Sequence, residues 1–214
     1  MLAKSLHLSQ FGIFINMAKQ LNWLQVERSV RQHGLTLFAP QDLRHLLGAS
    51  EMSVRFLLTR AHQRGDVVKL RRELYVLPDH PASDLELANR LYLPSYISFE
   101  YALAYYHLIP EAVYEVTSAT TRTSRRFEAL GKVFTYRHLK ASAFTGYRSE
   151  KVVGRVVLIA EPEKAVVDSL YFVSLGKLSL PERLDISMLQ PDRLQAWANL
   201  YQRPELVERV AALP

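Results

Sequence analysis

The sequence predicts an α+β protein: a small helical unit with a β-hairpin, followed by a mixed α/β C-terminal domain that ends in short helices. Apolar residues recur at helical spacing over residues 22–64, strand-like patterns recur between residues 67 and 160, and helical spacing returns after Pro162. The 214 residues, 49% hydrophobic and 22% charged, have the composition of a globular protein with one large domain or two small ones.

Three helices are predicted in the first unit. The first covers residues 22–33. Pro40 suits the first turn of the second helix, which Gly48 ends. Ser50 is a favoured N-cap for the third helix, which Gly65 closes. Spacings of three and four residues give the third helix one apolar face, formed by Val54, Leu57, Leu58 and Ala61. Its opposite face carries Met52, Arg55, Phe56, Thr59 and Gln63.

A β-hairpin with a basic tip is predicted after the third helix. Residues 67–77 read as two short strands around Arg71 and Arg72. A short helix, a glycine-containing turn and a longer helix with a polar face are typical of a helix-turn-helix, and the hairpin adds a wing. We therefore predict an N-terminal extension at residues 1–21 and a winged helix-turn-helix domain at residues 22–79.

The excess positive charge is concentrated in the same part of the chain. There are 27 Lys and Arg residues against 21 Asp and Glu, and residues 1–80 hold 11 basic and 6 acidic side chains. Such asymmetry is typical of a protein that binds a polyanion, although a solvated basic face is the alternative. In a winged helix the third helix contacts base edges and the hairpin contacts phosphates. The candidate contacts to double-stranded operator DNA are Ser50, Ser53, Arg55, Thr59, Arg60, Lys69, Arg71 and Arg72.

A second domain is predicted at residues 82–214, after a proline-containing linker at residues 79–84. Its expected elements are a helix at 84–90, a turn at 91–96, a helix at 99–107 capped by Ser98, strands at 113–119, 132–139 and 155–160, a helix at 162–173 and two or three short helices within 181–212.

A basic loop between two of these strands contains Arg122, Arg125 and Arg126. One interpretation is a solvated loop. The other is a second polyanion contact, to operator phosphate or to RNA, because a guanidinium can bind a phosphate through two hydrogen bonds.

One group of residues suggests a metal-dependent nuclease: Glu161, Glu163, Lys164 and Asp168. Pro162 starts a helix there, so the two glutamates are better explained as first-turn acids that the helix dipole stabilises. The absence of cysteine excludes disulfides, thiolate zinc sites and a cysteine nucleophile, and the 7 histidines show no metal-ligand spacing. We predict no catalytic residue, no metal and no cofactor.

The sequence also bears on location. No stretch approaches the ~18 apolar residues of a membrane helix. The apolar run at residues 11–15 is short for a signal peptide. We therefore expect a cytoplasmic protein with no membrane partner.

Three segments of the second domain resemble the AbiEi antitoxin family. They are LYLPSYISFEYALAYYHLIP at 91–110, VYEVTSATTRTSRRFEALGKVFTYRHL at 113–139 and VVLIAEPEKAVVDSLY at 156–171. The resemblance extends over residues 25–205, with the N-terminal part matching only as a generic winged helix. Two features depart from the family pattern: the extra N-terminal residues, and Arg72-Glu73 at the hairpin tip, where glycine is common.

The resemblance implies the antitoxin of a bacterial type IV toxin–antitoxin system. The winged helix would repress the shared operon by binding promoter inverted repeats, and the domain at residues 82–214 would counteract a nucleotidyltransferase-like toxin. Arg122, Arg125 and Arg126 are then also candidates for the antitoxic surface. In this family the antitoxin need not touch the toxin. The chain is expected to act as a monomer or a dimer. Two alternatives remain open: a ligand-responsive winged-helix regulator without a toxin partner, and a nuclease.

Overall fold

The computed structural model describes residues 21–213, so the predicted extension at residues 1–21 lies outside the described residues except for Leu21. The predicted mixed α+β class is confirmed. The helices in the described range are α1 (Trp23–Gln32), α2 (Pro40–Leu47), α3 (Glu51–Arg64), α4 (Asp84–Leu91), α5 (Phe99–Tyr105), α6 (Pro162–Ser174), α7 (Pro191–Asn199) and α8 (Pro204–Ala211). The strands are β1 (Leu37–Phe38), β2 (Val68–Arg71), β3 (Leu74–Val76), β4 (Ser95–Ile97), β5 (Val116–Thr120), β6 (Arg125–Ala129), β7 (Lys132–His138), β8 (Tyr147–Val152) and β9 (Arg155–Ala160).

The first region, residues 21–79, consists of α1 to α3 and a small sheet. In that sheet β3 lies between β1 and β2 and is antiparallel to both. Ser50 caps α3 by accepting a hydrogen bond from the Ser53 amide at 3.1 Å. Gly48 and Gly65 take the left-handed conformation that ends α2 and α3. The apolar sides of the helices form one core with the sheet, which includes Trp23, Val30, Phe38, Leu43, Val54 and Leu58.

The second region, residues 80–213, is built on a six-stranded mixed sheet. The strand order is β6-β7-β5-β4-β9-β8. The pairs β4–β9 and β5–β7 are parallel, and the other three pairs are antiparallel. Helix α6 follows β9 directly and packs against α5, α7 and α8. Because every residue from 163 to 170 is buried, α6 is the central helix of this region.

The two regions share an apolar contact. Leu37, Leu74 and Val76, all from the small sheet, belong to the core of the second region. Two polar contacts lie beside it: Thr36 Oγ1 donates to Glu86 Oε1 at 2.6 Å, and the Arg155 guanidinium donates to the Gly34 carbonyl. The segment predicted as a linker therefore joins regions that pack against each other.

Three strands of the second region, β4, β6 and β8, are not among the predicted strands. Residues 91–96 are predicted as a turn because of Pro94, yet Ser95–Ile97 forms β4 in the middle of the sheet. A strand buried on both faces lacks the alternation by which strands are recognised. Arg125 and Arg126, predicted within a loop, begin β6 at one edge of the sheet. A short edge strand with charged side chains has the composition of a loop.

None of the helices in the described part of the chain combines the length and the apolar character needed to cross a membrane.

Candidate nucleic-acid interface

The two sides of α3 differ as the sequence predicts. One side is buried in the core of the first region, namely Val54, Leu57, Leu58 and Ala61. The other side, here called the outer face of α3, is exposed and carries Met52, Arg55, Phe56, Thr59 and Gln63. Four of these residues and Glu51 line a shallow depression of about 450 Å³. A helix with one accessible side has the dimensions that the major groove of B-DNA admits.

Arg55 connects the outer face of α3 to the β2–β3 hairpin. Its Nε donates to Glu51 Oε1 at 3.0 Å, and its Nη1 donates to Glu73 Oε1 at 2.7 Å. The bonds to Glu73 and then to Glu51 raise the pKa of the Arg55 guanidinium above its ordinary value. The side chain is still 49% exposed, so water or another acceptor can replace either carboxylate.

The hydroxyl groups predicted to contact DNA lie at the N-cap of α3 and along the helix. The Ser50 and Ser53 hydroxyls are 2.8 Å apart, and Ser50 also holds the Ser53 amide. Thr59 Oγ1 donates to the Arg55 carbonyl at 2.9 Å. Ser50 and Ser53 therefore form the helix N-terminus, where free amides and the helix dipole favour an anion.

Three basic side chains on α3 and the hairpin form no ion pair with the carboxylates of the described residues. Arg60, Lys69 and Arg72 are exposed and have no ion-pair partner among residues 21–213. Arg64, by contrast, pairs with Asp66 at 2.6 Å. Unpaired, exposed cations are the groups that can bind phosphate without first breaking an ion pair.

The Arg71 guanidinium, which the sequence predicts to contact a phosphate, is bonded to two backbone carbonyls. Its Nη2 donates to the Arg90 carbonyl at 3.0 Å and its Nη1 donates to the Arg72 carbonyl at 3.0 Å. Its Nε is buried without a partner in the described structure. Burial, and next the charge of Arg90, lowers the pKa of Arg71. The side chain therefore joins the hairpin to the end of α4 instead of extending into solvent.

The three arginines of the predicted basic loop lie on and before β6. The Arg122 guanidinium stacks 4.4 Å from the centre of the Tyr92 ring and donates to the Leu93 carbonyl at 3.2 Å. Arg125 lies over Phe127 at 5.2 Å. Arg126 pairs with Glu128 at 2.8 Å. All three are exposed, and the charge of Arg122 contributes to lowering the pKa of Arg71. The Arg122 guanidinium therefore lies near Arg71, beside the tip of the β2–β3 hairpin.

The residues that suggest a nuclease do not converge on an open site. Lys164 and Asp168 are fully buried and form an ion pair one turn apart on α6. Lys164 Nζ also donates to the hydroxyls of Tyr96 at 3.1 Å and Tyr201 at 3.0 Å. Ser98, predicted to cap α5, instead donates to Asp168 Oδ2 at 2.7 Å. Burial lowers the pKa of Lys164, while Asp168 opposes the shift.

The two glutamates of that group lie elsewhere. Glu161 pairs with Arg193 of α7, and Glu163 Oε1 accepts from the Gln190 amide at 3.4 Å. Within residues 21–213 no group of three or more His, Asp or Glu side chains is placed to hold a metal ion. The buried ion pair therefore connects α6, β4 and Tyr201 in the loop between α7 and α8, and bulk solvent does not contact it.

Three contacts of the interface are missing from the sequence prediction. The pairing of Arg55 with Glu51 has the four-residue spacing that marks a helical ion pair, so the sequence carried a signal for it. The pairing with Glu73 and the Arg71–Arg90 contact join residues 18 and 19 positions apart in different elements. No local pattern indicates such contacts.

No family model matches this chain, and no curated protein is significantly similar to it.

Proposed function

We propose that residues 22–79 form a winged helix-turn-helix that binds duplex DNA through α3 and the β2–β3 hairpin. The observation that supports this most directly is the exposed outer face of α3 beside a basic hairpin, on a helix whose other side is fully used in the core. The helix pair α2–α3 with Gly48 between them and the antiparallel hairpin after α3 match the elements of that fold.

In this proposal each side chain has one role. Arg55 and Thr59 contact base edges in the major groove, and Arg55 exchanges its carboxylate partners for the O6 and N7 acceptors of guanine. Arg60, Lys69 and Arg72 contact phosphates. Ser50 and Ser53, at the positive end of α3, lie where a phosphate binds a helix N-terminus. Arg71 holds the hairpin against the end of α4 through its bond to the Arg90 carbonyl.

We further propose that the chain is the antitoxin of a type IV toxin–antitoxin pair. The support is the resemblance of residues 91–110, 113–139 and 156–171 to the AbiEi family. The DNA would then be the promoter of the operon, and the functional partner a nucleotidyltransferase-like toxin encoded beside this gene. The exposed arginines Arg125 and Arg126 of β6 are candidates for the surface that counteracts the toxin.

DNA binding is tested by selecting duplexes from a random pool with the full chain at physiological salt. We expect one sequence to be enriched and to bind at least a thousandfold more tightly than its scrambled version. Equal affinity for the two duplexes overturns the proposal. A promoter–reporter fusion then shows whether the enriched sequence lies upstream of the gene and is repressed.

The antitoxin role is tested by co-expressing the chain with the neighbouring toxin gene. We expect the wild-type chain to restore growth and the double variant Arg125→Glu with Arg126→Glu to fail while keeping its fold and its DNA affinity. Arg183→Glu, also an exposed arginine of the second region, is the control. Growth that does not depend on the chain overturns the antitoxin role, and rescue by the double variant moves the antitoxic surface away from β6.

A further inference from the structure

Two large apolar side chains lie on the outer face of α3, among polar and charged neighbours. Met52 is 69% exposed and Phe56 is 62% exposed. They are four residues apart, so they stand one above the other on the same stripe of the helix. Arg55 and Thr59 share that stripe, and together these four side chains line the shallow depression described above.

Neither side chain is needed by the core. The buried side of α3 already packs fully, with Val54 and Ala61 at 0% exposure. Met52 and Phe56 thus leave apolar surface in water, which favours contact with an apolar group of a partner. The same partner must also satisfy Arg55 and accept the positive surface formed by Arg60, Lys69 and Arg72.

The major groove of DNA offers this combination. Each thymine presents a C5-methyl group, each guanine presents two acceptors, and phosphates line both sides. A protein partner fits less well. A stable protein interface buries about 800 Å² on each side. One aromatic side chain supplies roughly 150–250 Å², and the surroundings of Phe56 are charged.

We propose that Phe56 and Met52 recognise thymines through their C5-methyl groups. The inference rests on the proposed binding of α3 in the major groove, and it adds which bases are read. Four residues advance an α-helix by about 6 Å, nearly two base-pair steps of 3.4 Å. The two side chains therefore contact methyl groups one or two steps apart, next to the guanine that Arg55 contacts.

The test removes single methyl groups from the DNA. The probe is the duplex enriched from the random pool, in which each thymine is replaced in turn by deoxyuridine. This change deletes only the C5-methyl group and leaves base pairing and the O4 acceptor intact. We expect one or two positions at which Kd rises about fourfold, the effect of removing one buried methyl-sized group.

A variant then assigns the position to a side chain. Phe56→Ala should raise the Kd for the thymine duplex. At one of these positions, its Kd should then be the same with thymine and with deoxyuridine. Met52→Ala should have both effects at the other position. Because both residues are exposed, we expect the melting temperature to stay the same. Met188→Ala, an exposed methionine of the second region, is the control and should leave both duplexes unchanged.

Each result has a distinct meaning. An enriched duplex whose affinity no deoxyuridine changes overturns the thymine contact and leaves the proposed DNA binding standing. A pool without any enriched sequence overturns the proposed DNA binding and this inference with it. A Phe56→Ala chain that keeps its DNA affinity but changes its oligomeric state in sedimentation also overturns the inference, and assigns the apolar pair to a protein contact.

Discussion

One set of cations in the first region and one set in the second region are held in different ways. In the first region Arg55 is shared between two exposed carboxylates, and Arg60, Lys69 and Arg72 extend into solvent. In the second region Lys164 is buried in an ion pair with Asp168. Arg122 stacks on the Tyr92 ring and donates to the Leu93 carbonyl. The first arrangement leaves charges that an incoming polyanion can use, whereas the second uses charge to hold elements together.

The difference follows from solvation. An exposed ion pair contributes little because water and salt screen it, so it exchanges partners easily. A buried pair costs much to desolvate, and once formed neither partner can be removed without leaving an uncompensated charge. A count of positive residues does not separate these cases. Arg71 carries the same charge as Arg72, but its guanidinium is committed to a backbone carbonyl of α4.

The largest expected effect concerns the buried ion pair of Lys164 and Asp168. Asp168→Ala leaves Lys164 buried without its carboxylate and removes the acceptor for the hydroxyls of Tyr96, Ser98 and Tyr201. We expect a loss of about 3–5 kcal/mol in the free energy of unfolding, measured by urea denaturation of the full chain.

A double variant provides the control for this loss. Lys164→Met with Asp168→Leu removes both charges and should recover only part of the stability. No uncompensated charge is then buried, but the hydroxyls of Tyr96, Ser98 and Tyr201 still lack their acceptor. If Asp168→Ala unfolds at the same urea concentration as the wild type, the pair does not hold the second region together.

The next largest effect concerns Arg55, whose exposed ion pairs with Glu51 and Glu73 can exchange for other acceptors. Arg55→Ala should weaken binding to the enriched duplex by about 5- to 150-fold, the range for one bidentate contact to guanine, and should relax the preference at one base pair. Fluorescence anisotropy with the cognate duplex and with single-base variants measures both. Arg183→Ala, which also loses an exposed ion pair, is the matched control. An equal loss on cognate and scrambled DNA would make Arg55 a phosphate contact.

A smaller effect separates the exposed hairpin cations from Arg71. Lys69→Ala with Arg72→Ala should reduce the slope of log K against log salt by about 2, since each phosphate contact contributes about 0.9. Arg71→Ala should leave that slope unchanged and lower the melting temperature, because it removes the bond to α4. A reduced slope for Arg71→Ala would instead show that its guanidinium contacts a phosphate of the DNA.

Local signals in the sequence predict the first region well. Ser50, Gly48 and Gly65 have conformations that short-range chemistry dictates, and the four buried residues of α3 follow from helical spacing alone. The exposed side of α3 follows from the same periodicity. Residues that fold by local rules can be recognised without knowing their distant neighbours.

The second region is less predictable because long-range contacts decide it. Strand β4 is central and buried, so its three residues carry no alternation. Ser98 has the sequence of a helix cap, but Asp168, which is 70 residues away, takes its hydroxyl. The sequence likewise does not indicate that Arg55 pairs with Glu73 or that Arg71 bonds to the Arg90 carbonyl. It shows where a charge is, but not which group that charge contacts in the fold.

The smallest expected effect concerns Glu73, which stands at the tip of the hairpin with φ of 63° and holds Arg55 at 2.7 Å. To reach a base edge, Arg55 must leave this carboxylate, and the carboxylate must approach the phosphates. Glu73→Gln keeps the shape and removes the charge, so it should tighten DNA binding by up to about fivefold, as expected for release of one exposed ion pair. The gain should shrink as salt rises, because screening already weakens that pair.

Glu128→Gln, which frees Arg126 in the same way at β6, is the control and should change affinity less. Weaker binding by Glu73→Gln would instead show that the carboxylate positions Arg55 for its base, and the ion pair would then be part of the reading geometry and not a competitor for it.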